Sequence, residues 1–252
     1  MNLPTSPKTW CKTADRPLRS WRKTLGIWLL SRFVGVPVPW EAARQKDGAA
    51  LLAYEHRRLL ALAHAGEAVP PVLAFDGHTL VTGDVGPTLE HRLGQLPEAE
   101  RLPLMCAASA DLARFHARGQ WHGGAQSRNI TWDGQRFARL DFEEQLRPGL
   151  SLPMVQIYDL IQLVLSLSRH FERLGPPAVQ AVLQAYCQVA EQAHWTGTDA
   201  RPDLAGFLSH LLPRIRRVQR LAAWSDRLHT SRELQRLRTV LDGLQAFVDA
   251  SR

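Results

Sequence analysis

No run of about eighteen apolar residues, the length a membrane-spanning helix needs, occurs in the 252-residue chain. Its most apolar early stretch, residues 26–38, is interrupted by Arg32, which argues against both a membrane span and a cleavable leader. A cytoplasmic protein is expected. Cysteine is scarce: Cys11, Cys106 and Cys187 are odd in number and far apart, so they fit neither a disulfide framework nor a zinc-ligand spacing and read as reduced thiols. The phosphate-cradling pattern G-x-G-x-x-G is missing, as are internal repeats and low-complexity tracts.

What is present is a basic chain with nearly half of its residues apolar. With 45% hydrophobic residues it can bury a sizeable core. A net charge of +7 favours anionic partners, such as nucleotides, acidic lipid headgroups or RNA, without choosing among them. Basic residues gather near the front (Lys8, Lys12, Arg16, Arg19, Arg22, Lys23) and near the back (Arg214, Arg216, Arg217, Arg220), the latter reading as a solvated helix face.

Periodicity divides the chain. Residues 9–14 read as a short strand and 19–33 as a basic amphipathic helix with Trp21, Leu25, Trp28 and Leu29 on one face. Leu52, Glu55, Leu59 and Leu62 mark a helix over 49–64 that stops at Gly66. Two apolar runs, 71–75 and 78–82, meet at Asp76-Gly77, a hairpin turn signal. A helix over 99–118 follows, with Met105, Ala108, Leu112 and Phe115 on one stripe, then a polar loop over 121–128. A second hairpin turns at Asp133-Gly134, with strands over 129–132 and 135–142. Because its strands run antiparallel, Asn129 and Asp141 should emerge at the same end. Residues 154–167 are apolar nearly all round, the mark of a buried central helix, and further helices are expected near 176–195, 203–224 and 231–249. The expected class is α+β, with a small unit over 1–85 and a mainly helical one over 86–252.

Chemistry concentrates in His116-Ala-Arg-Gly-Gln-Trp-His122-Gly-Gly-Ala-Gln-Ser-Arg-Asn129 and in Leu140-Asp141-Phe142-Glu143. Singly, each residue has a plain structural account: a loop histidine bonded to backbone, a turn asparagine, a strand-end aspartate. Jointly, the segment resembles the catalytic segment of the protein-kinase-like superfamily, in particular its atypical bacterial branch. That branch includes lipopolysaccharide core kinases, RIO-type kinases and aminoglycoside or choline phosphotransferases. The pattern runs L-H-x-x-G-x-x-H-G-D-x-x-x-x-N, then a hairpin, then D-F-E or D-F-G. His116, Gly119, His122, Gly123, Asn129, Asp141, Phe142 and Glu143 fall on it, and Asp159 matches an acidic residue in the helix that follows. Gly124 stands where the pattern has its catalytic aspartate. The resemblance spans residues 10–170 and is specific over 116–143.

The resemblance implies a two-lobe fold with a truncated small N-lobe and a mainly helical C-lobe. It implies ATP and Mg²⁺ as cofactors, with Asn129 and Asp141 as hard oxygen ligands to the metal. A lysine on the phosphates would be oriented by a helical glutamate: Glu55 is the glutamate, and Lys12, at the end of the first strand, is favoured over Lys46. Placing the lysine at 12 leaves almost no chain before its strand, so the glycine-rich loop is expected to be missing or truncated. Backbone groups of Gly83, Asp84 and Val85 would meet the adenine edge, and Gln126 or Glu143 would orient the acceptor beside Gly124. His116, His122 and Asp159 are expected to brace the loop. The implied activity is phosphoryl transfer to a hydroxyl of an anionic, sugar-containing or lipid-linked envelope component. The alternative is a pseudokinase that scaffolds or regulates. Residues 19–33 are expected to pack across the small unit, with peripheral contact to an acidic inner-membrane surface, rings at the headgroup level, as the rival account. Nucleic acid is not an expected partner.

Overall fold

The computed structural model describes residues 8–15, 20–33, 35–44, 47–147, 149–196, 201–222 and 232–251. Its N-terminal part pairs three strands with three helices. The elements in chain order are β1 (Thr9–Thr13), α1 (Trp21–Phe33), α2 (Trp40–Ala43), α3 (Gly48–His64), β2 (Val72–Phe75) and β3 (Thr79–Gly83). The strands form an antiparallel sheet in the order β1-β3-β2, with Lys12 opposite Leu80 and Thr9 opposite Gly83. The β2–β3 turn closes on Asp76, whose carboxylate accepts the N–H groups of His78 (2.8 Å) and Thr79 (2.6 Å).

Local chemistry explains the limits of α3. The Asp47 carboxylate accepts the N–H of Ala49 at 2.9 Å, capping the start. At the other end Gly66 takes φ +78, and its N–H and that of Glu67 return to the carbonyls of Ala63 and Leu62, a paired closure of the last turn. Between the caps Leu52, Leu59 and Leu62 are fully buried, each contributing about 2 kcal/mol. Glu55 lies on that same face.

The remainder is mainly helical: α4 (Leu89–Gln95), α5 (Glu98–Ala117), a 3₁₀ turn (Ser127–Asn129), the hairpin β4 (Ile130–Trp132) and β5 (Phe137–Arg139), then α6 (Leu152–Ser166), α7 (Ser168–Leu174), α8 (Pro176–Gln192), α9 (Leu204–Ala222) and α10 (Arg232–Ala250). Asp133 closes the second hairpin as Asp76 closes the first, accepting the N–H groups of Gln135 and Arg136. One hydrophobic core runs from Leu52 on α3 through Met105, Leu112 and Phe115 on α5 and the buried face of α6 to Phe247 on α10. A satellite cluster gathers Val36, Val38 and Ala43 against Trp121, Leu146, Leu150 and Val155. The class is therefore mixed α+β, with small antiparallel sheets. Among the described residues no helix is long and apolar enough to cross a membrane.

The structure differs from expectation in several places, the unanticipated helix α2 among them. The short helices α4 and α7 were not anticipated, and β5 ends at Arg139 instead of running to 142. Helix α1 also leaves half of its apolar stripe facing outward: Trp21 is 68% exposed and Leu29 54%, whereas Leu25 and Trp28 are half-buried and Thr24 and Ser31 are buried. Those hydroxyls can be buried because each donates to the carbonyl three or four residues earlier in the chain, Thr24 to Ser20 (3.1 Å) and Ser31 to Trp28 (2.8 Å).

Candidate functional site

Strand alternation points Lys12 from the sheet into a cleft of about 350 Å³. Helical periodicity points Glu55 into it from α3, and the chain leaving β5 delivers Asp141. The ammonium of Lys12 donates to both oxygens of Glu55 (2.7 and 2.9 Å) and to Oδ1 of Asp141 (2.6 Å). Residues 129 apart in sequence are thus joined through one cation. Glu55 is almost sealed (3% exposed), while Lys12 and Asp141 are each about one-third open. Burial works against the Lys12 ammonium, but the two carboxylates outweigh it and hold its pKa above the ordinary value. Burial likewise pushes the Glu55 carboxyl up, with Lys12 pulling back against it.

Asp141 has φ +67, unlike every other described non-glycine residue. A left-handed backbone at a residue other than glycine stores strain of order 1–3 kcal/mol, and such residues concentrate where a side chain must be aimed. Here the turn carries Asp141 into the cleft while the next residue, Phe142, goes into the core and stacks on the His122 ring at 4.4 Å.

The loop beneath the cleft is held by Asp159. This carboxylate is fully buried on α6 and accepts the N–H groups of His122 (2.6 Å) and Gly123 (2.7 Å), with the His116 imidazole at 3.3 Å. The other ring nitrogen of His116 meets the Tyr186 hydroxyl at 2.8 Å. His122 Nδ1 in turn accepts the N–H of Gly124. Burial drives the His122 pKa down to about 4, so its ring is neutral and architectural.

Asn129 lines the cleft and fixes itself by donating its amide to the Gly124 carbonyl at 3.0 Å, which leaves its side-chain oxygen available as a hard ligand. Gly83, Asp84 and Val85 also line the cleft. The N–H groups of Gly83 and Asp84 are committed to the carbonyls of Pro71 and Lys8, and the Asp84 carboxylate accepts from the Trp10 indole. A carboxylate oxygen of Glu143 comes within 4.8 Å of ones on Glu55 and Asp141. Gln126 turns away: its side chain pairs with Gln162 on α6 at 3.3 Å. Lys46 lies outside the described residues.

One cleft therefore gathers Lys12, Glu55, Asn129, Asp141 and 83–85. Glu143 stands at its acidic edge, and Gly124 lies below it through the Asn129 contact. Sequence reasoning did not single out Glu144, whose side chain runs beside Gly123 and Gly124. No spacing rule picks out the second of two adjacent glutamates.

No protein-family model matches the chain. It is similar to an uncharacterized protein of Haemophilus influenzae, at 28% identity over 190 residues, covering 75% of this chain and 69% of that one.

Proposed function

We propose that the chain is a protein-kinase-like phosphotransferase, with residues 1–85 as a reduced N-lobe and 86–252 as a helical C-lobe. The cleft between them would take ATP with Mg²⁺. The observation that carries the reading is the Lys12 ammonium set between Glu55 and Asp141, in a cleft that Asn129 also lines. A polyphosphate needs a positive side chain held in place, and the Glu55 contact holds this one. It also needs hard oxygen donors for its cation, and the carboxylate of Asp141 with the amide oxygen of Asn129 suits Mg²⁺. The metal would neutralise and orient the phosphates. Lys12 donates to Asp141; phosphate oxygens would offer the ammonium a new partner and leave that carboxylate to the metal. Of residues 83–85, the N–H of Val85 is the one left to meet the adenine edge.

The acceptor is read from the superfamily resemblance as a hydroxyl on a sugar-containing or lipid-linked envelope component. The exposed stripe of α1 supports work at an anionic membrane surface: Trp21, Leu29 and Phe33 face outward, and Arg22 and Arg32 are exposed beside them.

Gly124 favours a second reading, a pseudokinase that holds nucleotide and serves as a scaffold or regulator. Thermal unfolding with and without ATP and Mg²⁺, followed by labelled-phosphate transfer to envelope extracts, separates the two. Stabilisation with transfer supports the enzyme, stabilisation without transfer the pseudokinase, and no stabilisation removes both.

A further inference from the structure

Helix α3 brings Glu55 to Lys12, so whatever fixes α3 also fixes the cation of the cleft. Just past the end of α3, the Glu67 carboxylate accepts two bonds from the Arg118 guanidinium, at 2.6 and 2.7 Å. That anchor lies about three turns beyond Glu55, and a helix held at one end alone can still roll or swing. A second contact sits within one turn of Glu55. The Arg58 guanidinium donates to the Trp121 carbonyl at 3.0 Å and lies 4.7 Å over the Trp121 ring. Arg57 beside it is exposed, whereas Arg58 is half-buried. Burial pulls the Arg58 pKa below its ordinary value, with Tyr54 and Asp159 working against that. Its Nε, although buried, has no hydrogen-bond partner among the described residues. A cation buried on such terms contributes little net stability. What it does fix is the register of α3.

Trp121 begins the loop beneath the cleft. It is buried in the satellite cluster, and the next two N–H groups, of His122 and Gly123, are those that Asp159 accepts. Residues 121–123 are therefore clamped from two sides, by Arg58 of α3 and by Asp159 of α6. The Gly124 carbonyl that follows takes the amide of Asn129, which lines the cleft. One chain of contacts thus runs from Lys12 through Glu55, α3, Arg58 and the loop to Asn129, from one wall of the cleft to the other.

We infer that Arg58 is a positioning residue: it registers α3 on the loop, and so sets the spacing between the Lys12 ammonium and Asn129 that a magnesium-bound polyphosphate must bridge. The inference rests on the phosphotransferase reading above. Arg58 is not among the residues lining the cleft, so it acts through Glu55 and not on the nucleotide.

The test is a double-variant cycle read as MgATP affinity, with Tm recorded without nucleotide, on wild type, Arg58→Met, Glu55→Gln and Glu55→Gln/Arg58→Met. Arg58→Met keeps an unbranched side chain and removes the donors; Glu55→Gln keeps an acceptor for Lys12 and removes the charge. Arg58→Met should weaken MgATP binding roughly tenfold in the wild-type background and have little further effect once Glu55 is changed, because the same linkage is already cut. A side chain that merely stabilises the fold would weaken binding equally in both backgrounds. Should Arg58→Met fail to fold, Arg58→Lys, which keeps the charge but loses the planar fork, carries the same cycle. Two results overturn the inference while leaving nucleotide binding intact: MgATP affinity unchanged by the substitution at 58, or losses at 55 and 58 that simply multiply. Wild-type protein that binds no MgATP removes the phosphotransferase reading and the inference together.

Discussion

Two aspartates only eighteen positions apart in the chain, Asp141 and Asp159, show how differently one side chain can be used. Asp159 is sealed from solvent and its oxygens are taken by two backbone N–H groups and an imidazole. Asp141 is one-third exposed, sits on a left-handed backbone, and faces a lysine that Glu55 also claims. A buried carboxylate satisfied by fixed neutral donors cannot exchange partners without leaving its donors stranded, so it serves architecture. A half-open carboxylate that shares its ammonium with Glu55 can exchange that partner for a ligand at small cost, as the role proposed for it requires.

The sharpest way to break this contrast is to remove each carboxylate in turn. Asp159→Ala leaves the N–H groups of His122 and Gly123 buried without acceptors and should cost about 3–5 kcal/mol. The corresponding loss in Tm is about 10 °C for a chain of this size. Asp141→Ala should cost no more than about 1–2 kcal/mol, because Lys12 keeps Glu55 and a one-third-open ion pair contributes little, although alanine suits the left-handed backbone no better than aspartate does. Denaturant unfolding of both variants decides the matter, and equal costs would erase the distinction drawn between them.

The pH dependence sharpens the same point on the architectural side. His122 has its pKa depressed from 6.5 to about 4 by burial, so the unfolded chain binds a proton that the folded one refuses. Stability from this group is therefore fully present above pH 6.5 and is lost as pH falls toward about 4, by about 3 kcal/mol in all. His170, also pushed by burial to about 4, acts in the same window. Stability measured from pH 7 to pH 4 in wild type and His122→Asn should differ in slope by one proton; identical slopes would mean the ring is charged inside the fold.

The chemical side is tested by ligand. With ATP and Mg²⁺ at about a hundred times the dissociation constant, the wild type should gain about 2.7 kcal/mol. Asp141→Ala should lose most of that gain while unfolding near the wild-type Tm without nucleotide; Lys12→Ala should lose it too, but from a lowered Tm, because it strands the sealed Glu55 carboxylate. A full gain in Asp141→Ala would take that residue out of the site.

Which of these features the sequence could disclose follows from the physics of each. Lys12 and Glu55 were legible because a strand alternates with period two and a helix with 3.6, so each position fixes a direction. Asn129 and Asp141 were legible because a hairpin returns its ends together, and the Leu140 N–H to Asn129 carbonyl bond at 2.8 Å extends that pairing just past β5. The bracing by Asp159 was expected only through the superfamily resemblance, which has an acidic residue in the helix after the hairpin. The left-handed turn at Asp141 was not, since nothing local demands it; packing of Phe142 against His122 does. Helices α4 and α7 span seven residues each, too few turns for a periodic signal. The orientation of α1 was hidden because periodicity shows that a helix has two faces without saying how each meets the core, and two satisfied hydroxyls, Thr24 and Ser31, could be buried while Trp21 and Leu29 stayed outside.

Helix α1, with two of its stripe residues outward, gives the smallest stability effect and the cleanest contrast with both aspartates. Trp21 and Leu29 are more than half exposed, so Trp21→Ser and Leu29→Ser should move Tm by about 1 °C or less. If α1 meets an anionic bilayer, those rings and aliphatic chains enter the headgroup boundary, each contributing up to about 1.5–3 kcal/mol, while Arg22 and Arg32 meet lipid phosphates. Flotation with vesicles rich in phosphatidylglycerol should then fall about tenfold or more for either apolar substitution, and likewise for Arg22→Glu/Arg32→Glu. Vesicles of phosphatidylcholine alone should bind the wild type weakly, because they lack the anionic surface that draws the arginines in. Binding that survives the charge reversal and both serine substitutions would assign membrane contact to another surface, and wild-type protein that fails to float with anionic vesicles would leave the α1 stripe without a lipid partner.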